Sequence, residues 1–243
     1  MRNAWTITKR ELYAYFSSPL AYIVMAAFLL VQGFLFQLFL TYSNLYRQPM
    51  AMSDMMASGW LYFFLILYAA VVTMRLLAEE QRSGTLEIVL SAPIRDWELV
   101  VGKYLASLGL FALTVVISLY QVAILAWVGD PDLGATFSLY VGFFFVGAAL
   151  LAIGTMASTF TSNQPAAAIL AIGIGVVMWL LQFAGPQLYG TFWGEVLERI
   201  ALFTHYNDFA NGLFSTVHVV YYITIVAASL FLATQALQAR RWR

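Results

Sequence analysis

Hydrophobic positions along the chain fall into six long runs separated by short polar breaks, near residues 20–42, 58–78, 99–128, 135–160, 166–185 and 216–238. Each run holds about the 20 predominantly apolar residues that an α-helix needs to cross about 30 Å of hydrocarbon. The pattern therefore predicts an all-α integral membrane protein with six transmembrane helices, in one membrane domain spanning 1–243 and with no internal repeat. Residues 1–18 behave differently. Ala4, Trp5, Leu12, Tyr15 and Phe16 share one helical face, and Arg2, Thr6, Lys9, Arg10 and Tyr13 share the other. That periodicity predicts an interfacial elbow helix in the headgroup plane, against the alternative of a fluid basic terminus that only orients the protein. Ser17, Ser18 and Pro19 break it before the first span.

The connections vary in character. Residues 43–57 are Met-rich and nearly uncharged, and GDPDLG at 129–134 reads as a tight turn. TSNQP ends on Pro165, suited to the first turn of the next helix. Between 186 and 215, Phe192, Trp193, Val196, Leu197 and Ile200 recur at helical spacing opposite Glu195, Glu198 and Arg199, which predicts an external re-entrant or interfacial segment before the sixth span.

Composition sharpens this picture at two points. The chain is 62% hydrophobic and 10% charged, well outside the range of soluble domains. Ten of its twelve basic residues lie at the N-terminus, around residues 75–103 or at the C-terminus, leaving Arg47 and Arg199 for the other side. Basic loops are retained in the cytoplasm, so both termini and the 79–98 connection are expected there. The first apolar run is too long for a signal-peptide core and no small-residue cleavage site follows it, so a cleaved signal is not expected.

Several chemistries find no support. There is no Cys, no G-x-x-x-x-G-K-[ST] phosphate loop, no G-x-S-x-G and no H-E-x-x-H, so an enzyme, a nucleotide site on this chain and a metal site are not expected. His205 and His218, thirteen residues apart, read as hydrogen-bonded or interfacial rather than as metal ligands. The span centres carry no ionisable residue, which argues against an ion-coupled carrier or a pore working alone. The polar residues there are Gln32, Gln37, Gln121 and Gln182, which suit interhelical hydrogen bonds or the lining of a pathway. Gly147, Ala148, Ala152, Gly154, Ser158, Gly173 and Gly175 allow close helix approach in the fourth and fifth spans.

The connection EEQRSGTLEIVLSAPIRDWE, residues 79–98, concentrates charge between two apolar runs. Ser83 and Gly84 are placed to cap a short helix with Glu87 in its first turn, Pro93 to stop it and Asp96 to cap the next. Leu86, Val89 and Leu90 form an apolar stripe. That stripe either rests on the protein's own surface or headgroups, or docks into a partner's groove.

EEQRSGTLEIVLSAPI resembles the segment between the second and third spans of type-2 ABC export permeases, which has the pattern E-E-x-x-x-G-T-L-E-x-L-L-x-x-P. Glu79, Glu80, Gly84, Thr85, Leu86, Glu87, Leu90 and Pro93 match it, Val89 stands where Leu is common, and GKYLA from Gly102 is similar to that family's start of the third span. KRELYAYFSSPLAYI from Lys9 and THYNDFANGLFSTVHVVYY from Thr204 resemble the gliding-motility-associated branch, with Tyr206 replacing a Phe. The resemblance implies a permease whose cytoplasmic coupling helix, carrying those eight matching residues, contacts two copies of an ABC ATPase subunit. It further implies ATP and Mg²⁺ bound on that subunit, a second permease, either a copy or a relative, and an additional membrane-anchored or periplasmic subunit. The expected setting is the bacterial inner membrane, with lipid but no nucleic acid as a partner. The alternative is a non-transporting scaffold or anchor of a surface-motility or enzyme-maturation complex.

Overall fold

A computed structural model describes residues 2–46, 52–85, 94–128, 132–188 and 190–241. Among them every regular element is helical, and six helices are long and apolar enough to span a membrane: Pro19–Tyr42, Gly59–Arg82, Asp96–Trp127, Leu133–Phe160, Gln164–Gly185 and Thr216–Ala239. The boundaries follow local chemistry. Asp132 Oδ1 accepts from the Gly134 and Ala135 amides to start the fourth span, and the Asn163 side chain accepts from Ala166 N to start the fifth, with Pro165 in its first turn as expected.

Two spans flanking the 79–98 connection are interrupted. The second is helical over Gly59–Thr73, turns through 74–77 and resumes as Ala78–Arg82; the third is helical over Asp96–Ser118 and resumes at Tyr120. At each break a tyrosine hydroxyl from another helix donates to a nearby carbonyl. Tyr15 takes Val72 O at 2.8 Å and Tyr140 takes Ser118 O at 3.2 Å. Inside a bilayer an unpaired carbonyl costs several kcal/mol, so these bonds let the helices break at membrane depth.

The centre of the bundle is an aromatic layer drawn from the first four spans. Phe28, Tyr68, Phe111 and Phe143 have ring centroids 5.2–6.3 Å apart, and Tyr68 Oη lies 2.9 Å from Thr114 Oγ1. Lipid tails are as apolar as leucine, so the layer is held by contact rather than by water exclusion. Gly147 makes the contact close, because a Cβ there would interpenetrate the Phe111 ring.

The elbow helix forms over Arg2–Ser17. Ala4, Ile7, Thr8 and Tyr15 are buried, whereas Trp5 and Phe16 of the expected apolar face are exposed, as lipid-facing rings would be. Asn3 bonds Glu98, Thr8 bonds Gly102 and Leu12 lies over Gly109, so the helix runs side by side with the base of the third span. Positions 4, 7–8 and 11–12 meet that neighbour and Tyr15 reaches the second span, leaving Trp5, Tyr13 and Phe16 outward. The third span has 32 residues, about 48 Å of helix against about 30 Å of hydrocarbon, so its polar base needs this cover.

At the far end of the bundle the segment before the sixth span holds two helices. Phe192–Ile200 carries the expected stripe, yet Phe192 and Trp193 are exposed, as lipid-facing rings would be. Thr204–Ala210 is the part that dips inward: Phe203, Tyr206 and Phe209 are fully buried, with the Tyr62 ring tilted against Phe203 at 4.2 Å between centroids. Tyr221 and Tyr222 of the sixth span donate to Ile200 O and Leu202 O, satisfying carbonyls at the end of the first helix.

Candidate functional site: the platform beneath the 79–98 connection

The second span reaches the connection through a shaped exit. Thr73 Oγ1 donates to Ala69 O at 2.7 Å, a bond that loosens a helix, and Gly154 leaves room for that hydroxyl. Arg75 then sets its guanidinium 4.7 Å from the Tyr15 ring, and Gln81 Nε2 donates to Thr159 O of the fourth span. Ser83 ends the Ala78–Arg82 helix, and the short helix expected to follow it lies outside the described residues beyond Thr85. The Ser83 amide and hydroxyl both donate to Glu79 O at 2.9 Å, and Gly84 follows with φ +70, the left-handed position that favours glycine after a helix C-terminus.

Next to this exit lies a four-member ion network. Lys103 Nζ, almost fully buried, is 2.9 Å from Glu80 Oε1 and 3.2 Å from Glu11 Oε1. Arg10 reaches the same two carboxylates at 2.9 Å for Glu11 and 3.7 Å for Glu80. The elbow helix, the end of the second span and the start of the third thus share one electrostatic knot. Burial alone would raise the Glu11 pKa, but Lys103 and then Arg10 outweigh it and hold the carboxyl below its usual value, so Glu11 stays ionised.

A second set of bonds fixes the base of the third span. Asn3 Nδ2 and the Arg95 amide donate to Glu98 Oε2, and Thr8 Oγ1 donates to Gly102 O at 3.0 Å. Gly102 is required there, since a Cβ would lie 2.8 Å from Ala4 O. The cap preceding this helix is Arg95 rather than Asp96, which sits inside the first turn. Glu98, three residues beyond Arg95, reaches back to accept from the Arg95 amide, the N3 half of a capping box.

Of the eight connection residues singled out from sequence, Glu79 and Thr85 are exposed, Gly84 makes the turn and Glu80 belongs to the knot. Leu86, Glu87, Leu90 and Pro93 lie outside the described residues. Gln32 and Gln121 are fully buried, Gln182 is half-buried and Gln37 is exposed. Sequence reasoning missed Arg10, Glu11, Thr8, Glu98 and Lys103 as a functional group. A lone Lys beside an apolar run was the available signal, and its partners lie 92 and 23 positions away.

A family model for ABC-2 family transporter proteins matches residues 5–216, from the elbow helix to the first residue of the sixth span. The chain belongs to that family. It is the membrane permease subunit of an ABC-2 type transporter; ATP hydrolysis lies on a partner ABC ATPase subunit. None of the curated proteins compared with the permease matches it.

At the opposite end of the permease, the Thr204–Ala210 helix and the sixth span bring together the two histidines that looked isolated in sequence. Their rings are 5.1 Å apart, beside a cleft of about 430 Å³ lined also by Glu195, Glu198, Arg199 and Asp208. His205 Nδ1 donates to Ala201 O at 3.0 Å, and its ring stacks on Tyr221 at 3.8 Å; His218 Nε2 lies 2.6 Å from Asp208 Oδ2. Both rings are hydrogen-bonded, as their chemistry suggested.

Burial pushes the His205 pKa below its usual 6.5, with the neighbouring His218 adding to that and the Ala201 carbonyl, Asp208 and Glu198 opposing it. The neutral ring is the form that fits the fold. Unfolded chain therefore binds the proton first, and stability complete above pH 6.5 falls as pH drops below it. Thermal unfolding followed between pH 7.5 and 5 should show that slope, and His205→Gln should flatten it; an unchanged slope would show that other groups carry the acid sensitivity.

Proposed function

We propose that residues 79–98 form the cytoplasmic surface on which the ABC ATPase docks, and that the Lys103 knot transmits its movement into the membrane. The observation that carries this reading is the knot itself. It joins Glu80, at the mouth of the connection, to the elbow helix and to the base of the third span. A push on the connection then moves three helices together instead of bending one. Transmission of this kind needs an element with two arrangements that nucleotide can bias, and the connection between the two interrupted spans is that element.

In this reading the chain works as a single membrane unit in a bacterial inner membrane with both termini cytoplasmic, supported by the ten-to-two distribution of basic residues. Two permeases, copies or relatives, pair with two ATPase subunits that bind ATP and Mg²⁺. The exposed side chains of Glu79 and Thr85 and the stripe of Leu86 and Leu90 make the contact, with Glu87 and Pro93 shaping it. The leading motif from Lys9 and the segment from Thr204 favour the gliding-motility-associated branch, in which an auxiliary membrane-anchored subunit joins the complex and the work is export or mechanical.

Affinity purification from native membranes in mild detergent tests the docking surface. A P-loop ATPase should co-purify with the unaltered permease and be lost, at equal membrane insertion, from Leu86→Asp and Leu90→Asp. Equal recovery of the ATPase by all three proteins would remove residues 79–98 from the interface. Stimulation of the recovered ATPase by a candidate cargo separates export from scaffolding, which has no cargo dependence.

A further inference from the structure

We propose that Tyr15 is a latch on the break in the second span, holding residues 72–78 in one of two hydrogen-bonded arrangements. The choice turns on Val72 O. In a continuous α-helix this carbonyl accepts from the amide four residues on, that of Leu76. Here the Leu76 amide donates to Thr73 O at 3.0 Å instead, and the Tyr15 hydroxyl donates to Val72 O at 2.8 Å. A phenol from the elbow helix has taken the place of the span's own amide. The i→i−3 bond left behind is a 3₁₀ step inside a long helix, the kind of step that marks a hinge.

The elbow grips the second span on both sides of this hinge. Tyr15 is 2% exposed, its hydroxyl on Val72 and its ring 4.7 Å from the guanidinium of Arg75, which lies inside the break. One turn earlier on the same elbow face, Glu11 meets Lys103 at 3.2 Å, and Lys103 holds Glu80 beyond the break at 2.9 Å. Between the two grips the backbone departs from a helix. Met74 keeps φ −54 and ψ −32, but Leu77 stands at φ −120 and ψ −30, about 60° in φ from the helical value.

Both arrangements satisfy Val72 O and Leu76 N, which is what makes them exchangeable. In the broken one Leu76 N has Thr73 O and Val72 O has Tyr15. In the continuous one Leu76 N returns to Val72 O, Leu77 N takes Thr73 O, and the Tyr15 hydroxyl alone must find a new partner. Val72 is 1% exposed, so solvent supplies no third donor to the contest. Straightening swings everything past Leu77, Glu80 and the mouth of the connection included, and requires the elbow to lift Tyr15 away. Tyr15 is therefore a positioning residue through which the elbow gates the second span. The inference rests on the docking reading only for the force that drives the change; the latch is a property of the permease alone.

The chain has no cysteine, so pairs of nitroxide labels on introduced cysteines report the hinge without background. Trp60→Cys/Thr85→Cys puts labels at exposed positions on either side of the break, and Leu133→Cys/Phe160→Cys brackets the uninterrupted fourth span as a control. Distances are read by pulsed electron paramagnetic resonance on the full chain in lipid nanodiscs, with no ATPase present. Tyr15→Phe keeps the ring and removes the hydroxyl; it should raise the population of a second distance across the break several-fold, with the control distance unchanged. Arg75→Met releases the other hold on the ring and should raise the same population, so it carries the test if Tyr15→Phe does not fold. A distribution across the break identical to that of the unaltered protein in the folded variants would overturn the proposal. A control distance that shifts alongside would overturn it too, by assigning the change to loss of the bundle. Loss or retention of the ATPase in the Leu86 and Leu90 variants bears on the docking surface alone, so the two readings fail separately.

Discussion

Lys103→Met is expected to destabilise the permease by roughly 3 kcal/mol, near the lower end of what removing one partner of a buried ion pair costs. The methionine fills the space but leaves Glu11 and Glu80 facing one another with only the exposed Arg10 between them. Both carboxylates keep some access to water, which is why the lower end applies. The loss should be partly reversed in Lys103→Met/Glu80→Gln, because the second change removes the stranded charge. Unfolding midpoints of the wild type, the two single variants and the double variant give a coupling energy, and a value near zero would mean that the knot holds nothing. Proteolysis of the elbow helix supplies a local readout. It should accelerate in Lys103→Met before the spans open, since Glu11 is the elbow's ionic tie to the third span.

Gly147→Leu is expected to cost about 3 kcal/mol or more, at or above the usual range for overpacking a core. Any Cβ at this position collides with the Phe111 ring, and that ring cannot retreat. Tyr68, Phe143 and Phe144 surround it at centroid distances of 5.6, 5.9 and 6.1 Å. Phe111→Leu introduced alongside should recover part of the loss by opening space. Gly173→Ala is the matched control, as a Cβ there meets nothing within 4 Å. Similar melting of Gly147→Leu and Gly173→Ala in detergent would show that the aromatic layer is not tightly packed.

The predictions differ in how far sequence alone could have reached them. The sixfold pattern of long apolar runs was enough for the fold class, because a bilayer admits few ways to satisfy backbone groups and a 20-residue apolar run has essentially one of them. The connection at 79–98 stood out by its charge density and its family motif. Local caps were partly readable. Pro165 and the Gly84 turn obey rules set by their own backbone, whereas Asp96 was assigned to a cap position that Arg95 takes instead, with the Glu98 side chain reaching back to the Arg95 amide.

Sequence by itself determined the six spans, the presence of an elbow helix and the place of the charged connection, since each depends on the character of a contiguous stretch in a fixed solvent. Tertiary structure alone decided which face of the elbow is packed, that Lys103 holds Glu11 and Glu80 together, that His205 and His218 are neighbours, and that Gln32 finds no protein partner. Those outcomes depend on groups tens of residues apart being brought within a few ångströms, and on the third span being longer than the hydrocarbon it crosses. No local periodicity encodes such distances; helix packing sets them.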